Sequence, residues 1–168
     1  MKQVLVALCA AFITTALIAA PPTPPVESAK PSGLRWLVTT SKKNDKLLLL
    51  KVREEIPSDA MTDRYPNVIE MHWKYAPDKL GMPAESVVSQ IAKFEAAIDP
   101  IQGDRAGYLM TIVTGSGERT WLWYVADPKI FASALNRLVP GHPFPITLQA
   151  VGKEPDWKTY RALREKMH

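Results

Sequence analysis

The chain has 168 residues, with 21 lysines and arginines against 17 aspartates and glutamates and a formal net charge of +4. The two signs are interspersed, which excludes the clustered positive field expected of a nucleic-acid-binding protein. Cys9 is the only cysteine and lies near the N-terminus. The rest of the chain therefore has no disulfide, no thiolate nucleophile and no cysteine metal ligand.

The N-terminus follows the pattern of a secretory signal peptide. Lys2 precedes an uncharged, apolar stretch from Val4 to Ala19, and small residues end that stretch. We predict a signal peptide over residues 1–20 that is cleaved near Ala19 to Pro21, which makes the mature protein periplasmic or secreted.

Two alternatives for this segment stay open. A run of about 17 apolar residues suffices to span a bilayer, so the segment can also be an uncleaved anchor, and only then does the protein contact a membrane. A lipid on Cys9 is disfavoured because Leu8 is bulky where a lipobox requires a small residue.

The next segment, residues 21–33, is rich in proline and small polar residues. This composition predicts an extended linker that is not part of the fold. The sequence after it has no internal repeat and no low-complexity tract, so we interpret residues 34–168 as a single domain. That domain is long enough to bury a core without disulfides.

Six strands are predicted from apolar or alternating runs bounded by turn-forming residues. The first two flank a polar loop over residues 41–45 and form a hairpin, and Gly115-Ser116-Gly117 closes a second hairpin. Pro145 places the last strand at an edge of the sheet. The predicted strands are Leu34–Thr40, Lys46–Arg53, Asn67–Tyr75, Tyr108–Thr114, Glu118–Val125 and Phe144–Ala150.

Three helices are predicted between and after these strands. The first begins at Pro83 and ends before Pro100, with apolar residues along one face. Asp127 caps the second, which continues to about Val139, and a short terminal helix begins near Pro155. The order from the third strand onward is β-α-β-β-α-β. We therefore predict an α+β fold with an antiparallel sheet in ferredoxin-like order, preceded by an extra hairpin and followed by a short C-terminal helix.

Short motifs of turn-forming and aromatic residues stand at the ends of these predicted elements. They are Gly81-Met82-Pro83, Phe94-Glu95, Thr114-Gly115, Gly117-Glu118-Arg119, Trp123-Tyr124 and Glu154-Pro155-Asp156-Trp157-Lys158-Thr159-Tyr160. Together they resemble the bacterial family catalogued as domain of unknown function 695, over about Trp36 to about Arg164. The resemblance implies no activity, cofactor or catalytic residue. That family is similar in layout to the regulators of ribonuclease E, which bind a protein without catalysis, so the resemblance implies only a general binding role.

The third predicted strand carries the residues that we select as binding candidates. Glu70, His72 and Lys74 alternate with apolar residues, so all three project to one face of the sheet. Glu70 and His72 have the chemistry of a base and its orienting partner. A row of charged residues is nevertheless more typical of a solvated sheet face, and we expect this face to be solvated.

The sequence suggests three other kinds of site: a serine nucleophile or phosphate loop, a metal site and an aromatic stacking platform. Ser116 lies between two glycines, but a nucleophile elbow or a phosphate loop leads into a helix, and here a strand follows. The histidines, His72, His142 and His168, have no metal-ligand spacing, so neither a metal nor another cofactor is predicted. The aromatic residues of the strands are interpreted as core, with a stacking platform for sugars or bases as the alternative: Trp36, Trp73, Trp121, Trp123 and Tyr124.

These observations predict a non-enzymatic binding module of the cell envelope, whose partner is an unidentified envelope or extracellular protein. The alternative is a periplasmic hydrolase that uses Glu70, His72 or Ser116. The binding module is favoured because the sequence pattern indicates no catalytic triad and no pair of catalytic carboxylates.

Overall fold

The computed structural model describes residues 35–103, 106–141 and 143–167. Within these residues, a six-stranded antiparallel sheet is combined with three α-helices, which confirms the predicted α+β class. The predicted signal peptide and linker lie outside the described residues, as do His142 and His168. No helix in the described part of the chain is both long enough and apolar enough to cross a membrane.

The elements follow the predicted order along the chain. The strands are β1 (Trp36–Lys43), β2 (Lys46–Arg53), β3 (Asn67–Lys74), β4 (Gly107–Gly115), β5 (Glu118–Val125) and β6 (Ile146–Lys153). The helices are α1 (Glu85–Ile98), α2 (Pro128–Leu138) and α3 (Lys158–Glu165). Across the sheet the strands lie in the order β1-β2-β4-β5-β3-β6, and all neighbours are antiparallel.

The predicted bounds hold for β2 and β5, and the differences elsewhere have local causes. The prediction of a loop over residues 41–45 is wrong, because β1 continues to Lys43. The hairpin turn is formed by Asn44 and Asp45, at φ 51° and 59°. These two residue types tolerate the left-handed conformation that such tight hairpin turns require. The last strand begins after Pro145, which has no N–H to donate, and continues beyond its predicted end to Lys153.

One face of the sheet packs against α1 and α2. Trp73 on β3, which is 2% exposed, lies against Phe94 of α1 and Phe144, with ring centroids 5.8 and 5.7 Å apart. Trp121 and Trp123 of β5 are fully buried in the same cluster. This burial confirms the core interpretation and rules out a stacking platform built on these tryptophans.

A second apolar cluster covers part of the opposite face. Tyr108, Tyr124 and Trp157 pack there with α3, which contributes the buried Tyr160. Trp157 stacks on Tyr124 at a centroid distance of 4.5 Å, and its indole N–H donates to the backbone carbonyl of Tyr65 at 3.0 Å. The opposite face is therefore a second core at the end where α3 lies.

Glu154 holds the start of α3 against the sheet. Its carboxylate accepts hydrogen bonds from the backbone N–H of Thr159 at 3.0 Å, the Thr159 hydroxyl at 2.6 Å and the Tyr124 hydroxyl at 2.9 Å. Trp157, at φ 53°, turns the chain in the left-handed conformation just before the helix. The helix consequently begins at Lys158, three residues after the predicted start at Pro155.

Trp73 tests the first core. We expect Trp73→Ala to lower the free energy of unfolding by about 3–5 kcal/mol, because it deletes a large aromatic side chain from a packed interior. Denaturant unfolding measures this loss. Trp36→Ala is the matched control, since Trp36 is only half-buried at the margin of the same cluster, and its loss should be smaller. An equal loss for both variants would contradict the assigned burial.

Glu154 tests the attachment of α3 through pH. Burial opposes ionisation of this carboxyl, but the hydrogen bonds from Thr159 and Tyr124 outweigh it and hold the pKa of Glu154 below its ordinary value of 4.5. A lowered pKa in the folded state contributes stability that is present above pH 4.5 and is lost as the pH falls through the folded-state pKa.

We therefore expect Glu154→Gln to cost about 1–2 kcal/mol of unfolding free energy at pH 7, and the difference from wild type to shrink below about pH 4.5. Urea denaturation at several pH values measures it. Glu165→Gln, an exposed acid at the end of the same helix, is the control and should show no such pH dependence. A cost that persists unchanged at pH 3 would show that the charge of Glu154 is not responsible.

Candidate functional site

The predicted candidates lie on the sheet face opposite α1 and α2, beyond the part that α3 covers. On β3 these residues are Glu70, His72 and Lys74, and each pairs directly with a residue of β5. His72 is opposite Thr120, and Lys74 is opposite Glu118. The candidate site therefore spans two strands, because residues directly opposite each other in an antiparallel pair share a face.

The imidazole of His72 lies between two carboxylates. Its Nε2 is 3.3 Å from Oε2 of Glu70, and its Nδ1 is 3.5 Å from Oε1 of Glu118 and 3.2 Å from Oγ1 of Thr120. The contact to Glu70 is close but not oriented as a hydrogen bond, so Nε2 is a buried atom without a hydrogen-bonding partner among the described residues. A protonated imidazole donates from both nitrogens and would serve both carboxylates.

The predicted solvation of this face is wrong for His72 and right for Lys74. The His72 side chain is only 15% exposed, because neighbours on both adjacent strands flank it, whereas Lys74 at the strand end is exposed. Glu70 and Glu118 are in between, with side chains 33% and 36% exposed. Exposure therefore increases across the cluster, from His72 through the two carboxylates to Lys74.

A single line of residues crosses the sheet through His72. Strand pairing places five residues side by side from β2 to β6, and we call them the His72 row: Leu50, Val113, Thr120, His72 and Thr147. The first four are half-buried and Thr147 is exposed. The row is aliphatic on β2 and β4 and polar on β5, β3 and β6. Leu50 and Val113 are therefore partly exposed apolar residues on the same face as Glu70, His72, Glu118 and Lys74.

Sequence reasoning missed the contribution of β5 and β2 to this site. Alternation along β5 places Glu118 and Thr120 on one face, as the sequence indicates, but it does not give the register in which β5 pairs with β3. The hairpin at Gly115-Ser116-Gly117 fixes the register of β5 against β4 only. The signal that was lacking is the register of a non-local pairing, which period-two patterns do not specify.

Ser116 lies apart from the His72 cluster. It occupies the tip of the β4–β5 hairpin in the left-handed conformation, at φ 54°, and it is exposed. It precedes Thr120, the partner of His72, by four residues, which corresponds to roughly 13 Å along an extended strand. The structure therefore does not bring Ser116 together with His72 as nucleophile and base.

A protein metal site requires at least three ligating side chains that converge on one point. Within residues 35–103, 106–141 and 143–167, no group of three or more His, Cys, Asp or Glu side chains is placed to hold a metal ion. His72 has two acidic neighbours, but its Nε2 and Nδ1 face different ones.

The motif residues make structural contacts that join separate elements. Glu95 of α1 accepts hydrogen bonds at 2.6 Å from both Arg119 and Trp121 of β5. Gly81, at φ 90°, packs so closely that a side-chain carbon there would lie 2.9 Å from the backbone nitrogen of Ser116. Its carbonyl accepts a hydrogen bond from the N–H of Gly117 at 3.1 Å. These bonds attach α1 to β5 and the segment before α1 to the β4–β5 hairpin. The contacts of Glu154 attach α3 to the sheet.

Comparison with known proteins gives one match. Residues 34–163 match the family described as "Family of unknown function (DUF695)". No curated protein and no solved structure matches the chain.

Proposed function

Because the chain belongs to the DUF695 family, whose description gives no activity, its role has to be argued from its own residues, and we propose that it is an exported, non-enzymatic binding module of the cell envelope. The partner that we propose is an envelope or extracellular protein. The binding surface is the His72 row with its acidic neighbours Glu70 and Glu118 and the exposed Lys74.

The observation that carries this proposal is that half-buried aliphatic residues of the His72 row lie next to the partly exposed carboxylates of Glu70 and Glu118 on one face of the sheet. Leu50 and Val113 offer apolar area, while His72 and its carboxylates offer hydrogen-bonding groups that are already partly desolvated. Protein interfaces combine an apolar centre with a polar periphery in this way. Desolvated polar groups favour a partner that supplies complementary hydrogen bonds, which provides specificity.

For the fold, we propose that β3 to β6 with α1 and α2 form a ferredoxin-like unit. In support, β5 lies between β3 and β4, the two strands that α1 connects, and β6 lies on the other side of β3. This is the arrangement of a split β-α-β unit. The β1–β2 hairpin then extends the sheet next to β4, and α3 is an addition on the opposite face.

The hydrolase alternative has one observation in its favour. Oγ1 of Thr120 lies 3.2 Å from Nδ1 of His72, and Oε2 of Glu70 lies 3.3 Å from Nε2 of His72. This arrangement superficially resembles a nucleophile, a base and its orienting acid. However, the histidine–glutamate contact is not a hydrogen bond, and His72 is not among the residues that line the cavities at Arg53, Tyr160, Trp36 and Ile101. Catalysis requires a concave site that holds the substrate, so we rank binding above hydrolysis.

Export is tested by the mass of the mature protein. Expressed in a Gram-negative host, the chain should yield a periplasmic product that begins within about two residues of Ala20, because the preceding apolar stretch is removed as a signal peptide. Intact mass spectrometry of the periplasmic fraction measures this. A full-length product retained in the inner membrane would show that the segment is an anchor.

The binding surface is tested by site-specific crosslinking. The predicted mature chain has no cysteine, so a single introduced cysteine can carry a photocrosslinker at a unique position. We expect Thr147→Cys, in the His72 row, to give a discrete adduct with one envelope protein. Ser89→Cys is the matched control, since Ser89 is an exposed hydroxyl residue on α1, and it should give no adduct. Mass spectrometry of the adduct identifies the partner.

The chemistry of the surface is tested by a triple substitution in the Thr147→Cys background. Replacing Glu70, His72 and Lys74 with alanine should abolish the adduct while circular dichroism shows an intact fold. The matched control replaces Glu85, Gln90 and Lys93, three exposed residues of α1, and should leave the adduct unchanged. An adduct that survives the first triple change would exclude this surface. A hydrolytic activity lost with His72→Ala alone would instead establish the enzyme.

A further inference from the structure

Arg53, the last residue of β2, is a buried cation without a counter-ion in the described part of the chain. It is 7% exposed, and its one side-chain hydrogen bond there goes to the sulfur of Met110 at 3.9 Å. A thioether is a weak acceptor and carries no charge. None of the ion pairs among the described residues includes Arg53.

Arg119 shows how this fold treats a comparable arginine. Its side chain is 11% exposed, and its guanidinium donates to the Glu95 carboxylate at 2.6 Å and to the Thr114 hydroxyl at 2.8 Å. The contrast is informative because a buried charge that lacks a partner is among the most destabilising features that a protein can contain. Removal from water also lowers the pKa of Arg53, although arginine keeps its charge at any physiological pH.

Arg53 is one of the residues that line a cavity of 440 Å³ next to the segment that follows β2. The other lining residues are Arg35, Glu55, Ile56, Pro57, Ser58 and Asp59. Arg35 is already paired with Glu54 at 2.7 Å and is largely exposed. Glu55 and Asp59 are exposed, and Asp59 attracts the Arg53 charge without forming an ion pair with it. The lining of the cavity therefore combines the buried cation of Arg53, unpaired within the described residues, with the exposed carboxylates of Glu55 and Asp59.

We propose that this cavity binds a small molecule through a carboxylate group that pairs with Arg53. The planar guanidinium presents parallel N–H donors that match the two oxygens of a carboxylate. The acidic residues Glu55 and Asp59 disfavour a doubly charged phosphate and suit a cationic group at the other end of the ligand. The ligand class is thus a small zwitterion, such as an α-amino acid or the end of a short peptide, and a cavity of 440 Å³ lies within the range of small-molecule sites.

This proposal is independent of the binding surface at the His72 row. The two sites share no residue, and Arg53 is tied to α3 through its own backbone, whose carbonyl accepts a hydrogen bond from Tyr160 at 2.9 Å. A ligand held there would complete the charge balance of a region where β2, the following segment and α3 meet.

The first test is thermal unfolding of the mature wild-type protein with L-alanine, acetate, inorganic phosphate or sodium chloride at matched ionic strength. We expect alanine to raise Tm by about 2–4 °C at saturation and acetate to raise it less, because only alanine also carries an ammonium group. Sodium chloride should have no comparable effect. Equal responses to alanine and sodium chloride would overturn the proposal, and a larger response to phosphate than to either carboxylate would overturn the carboxylate assignment.

The second test places the ligand at Arg53. In Arg53→Met the response to alanine should disappear, and the variant without ligand should be at least as stable as wild type, because methionine fills the space without a buried charge. Arg137→Met, an exposed arginine on α2, is the control and should keep the full response. A response retained in a folded Arg53→Met variant would refute the site.

If Arg53→Met does not fold, NMR of the wild type decides. The side-chain Nε–H resonance of Arg53 should shift during an alanine titration, while that of Arg137 should not. An unmoved Arg53 resonance at alanine concentrations that stabilise the protein would show that the ligand binds elsewhere and would refute the proposal.

Discussion

The pairing of β3 with β5 is the constraint on which the rest of the structure depends. It runs over eight residue pairs, from Asn67 opposite Val125 to Lys74 opposite Glu118. This register places Trp73 towards the helices and His72 between two carboxylates on the other face. Because strand side chains alternate, a slip of β3 by one residue would turn Trp73 away from the helices and turn Glu70, His72 and Lys74 towards them. The core and the candidate surface are therefore consequences of a single alignment.

The family motifs identify an architecture, since their residues are engaged in contacts between elements. Glu95 binds Arg119 and Trp121 from the neighbouring strand, and Glu154 binds Tyr124 and the start of α3. A carboxylate that accepts several hydrogen bonds of this kind is a fixed structural acceptor. Membership of the family accordingly says much about the fold and little about chemistry. The two sites proposed above are centred between the motifs, at the His72 row and at Arg53.

The sequence was most informative where the determinants are local. The bounds of β2 and β5, the cap formed by Asp127 on α2 and the apolar face of α1 all follow from turn residues and periodicity, and the structure agrees with each. The α+β class followed from the element order for the same reason. Local patterns also placed Glu70, His72 and Lys74 on one face.

Features that depend on contacts between residues far apart in the sequence were not fully predicted. Glu118 and Thr120 become neighbours of His72 only because β5 pairs with β3. Arg53 ends a strand, where an arginine normally reaches solvent, and its burial results from the segment after β2 and from α3, which are distant from each other in sequence. The second core was predicted only in part, because Tyr124 was assigned to a core but Trp157 reaches it through a left-handed turn that propensity alone does not indicate.

The last strand, β6, forms an irregular edge of the sheet. Its pairing with β3 is interrupted between Val68 and Ile69, where Val151 is an extra residue in β6 and projects 52% exposed. A bulge of this kind twists the outer edge and breaks its regular ladder of donors and acceptors. An incoming peptide would thus find no straight template for extending the sheet at β6. Strand addition is therefore disfavoured at this edge, and a partner of the kind proposed above would have to be recognised there by side chains and not by the backbone.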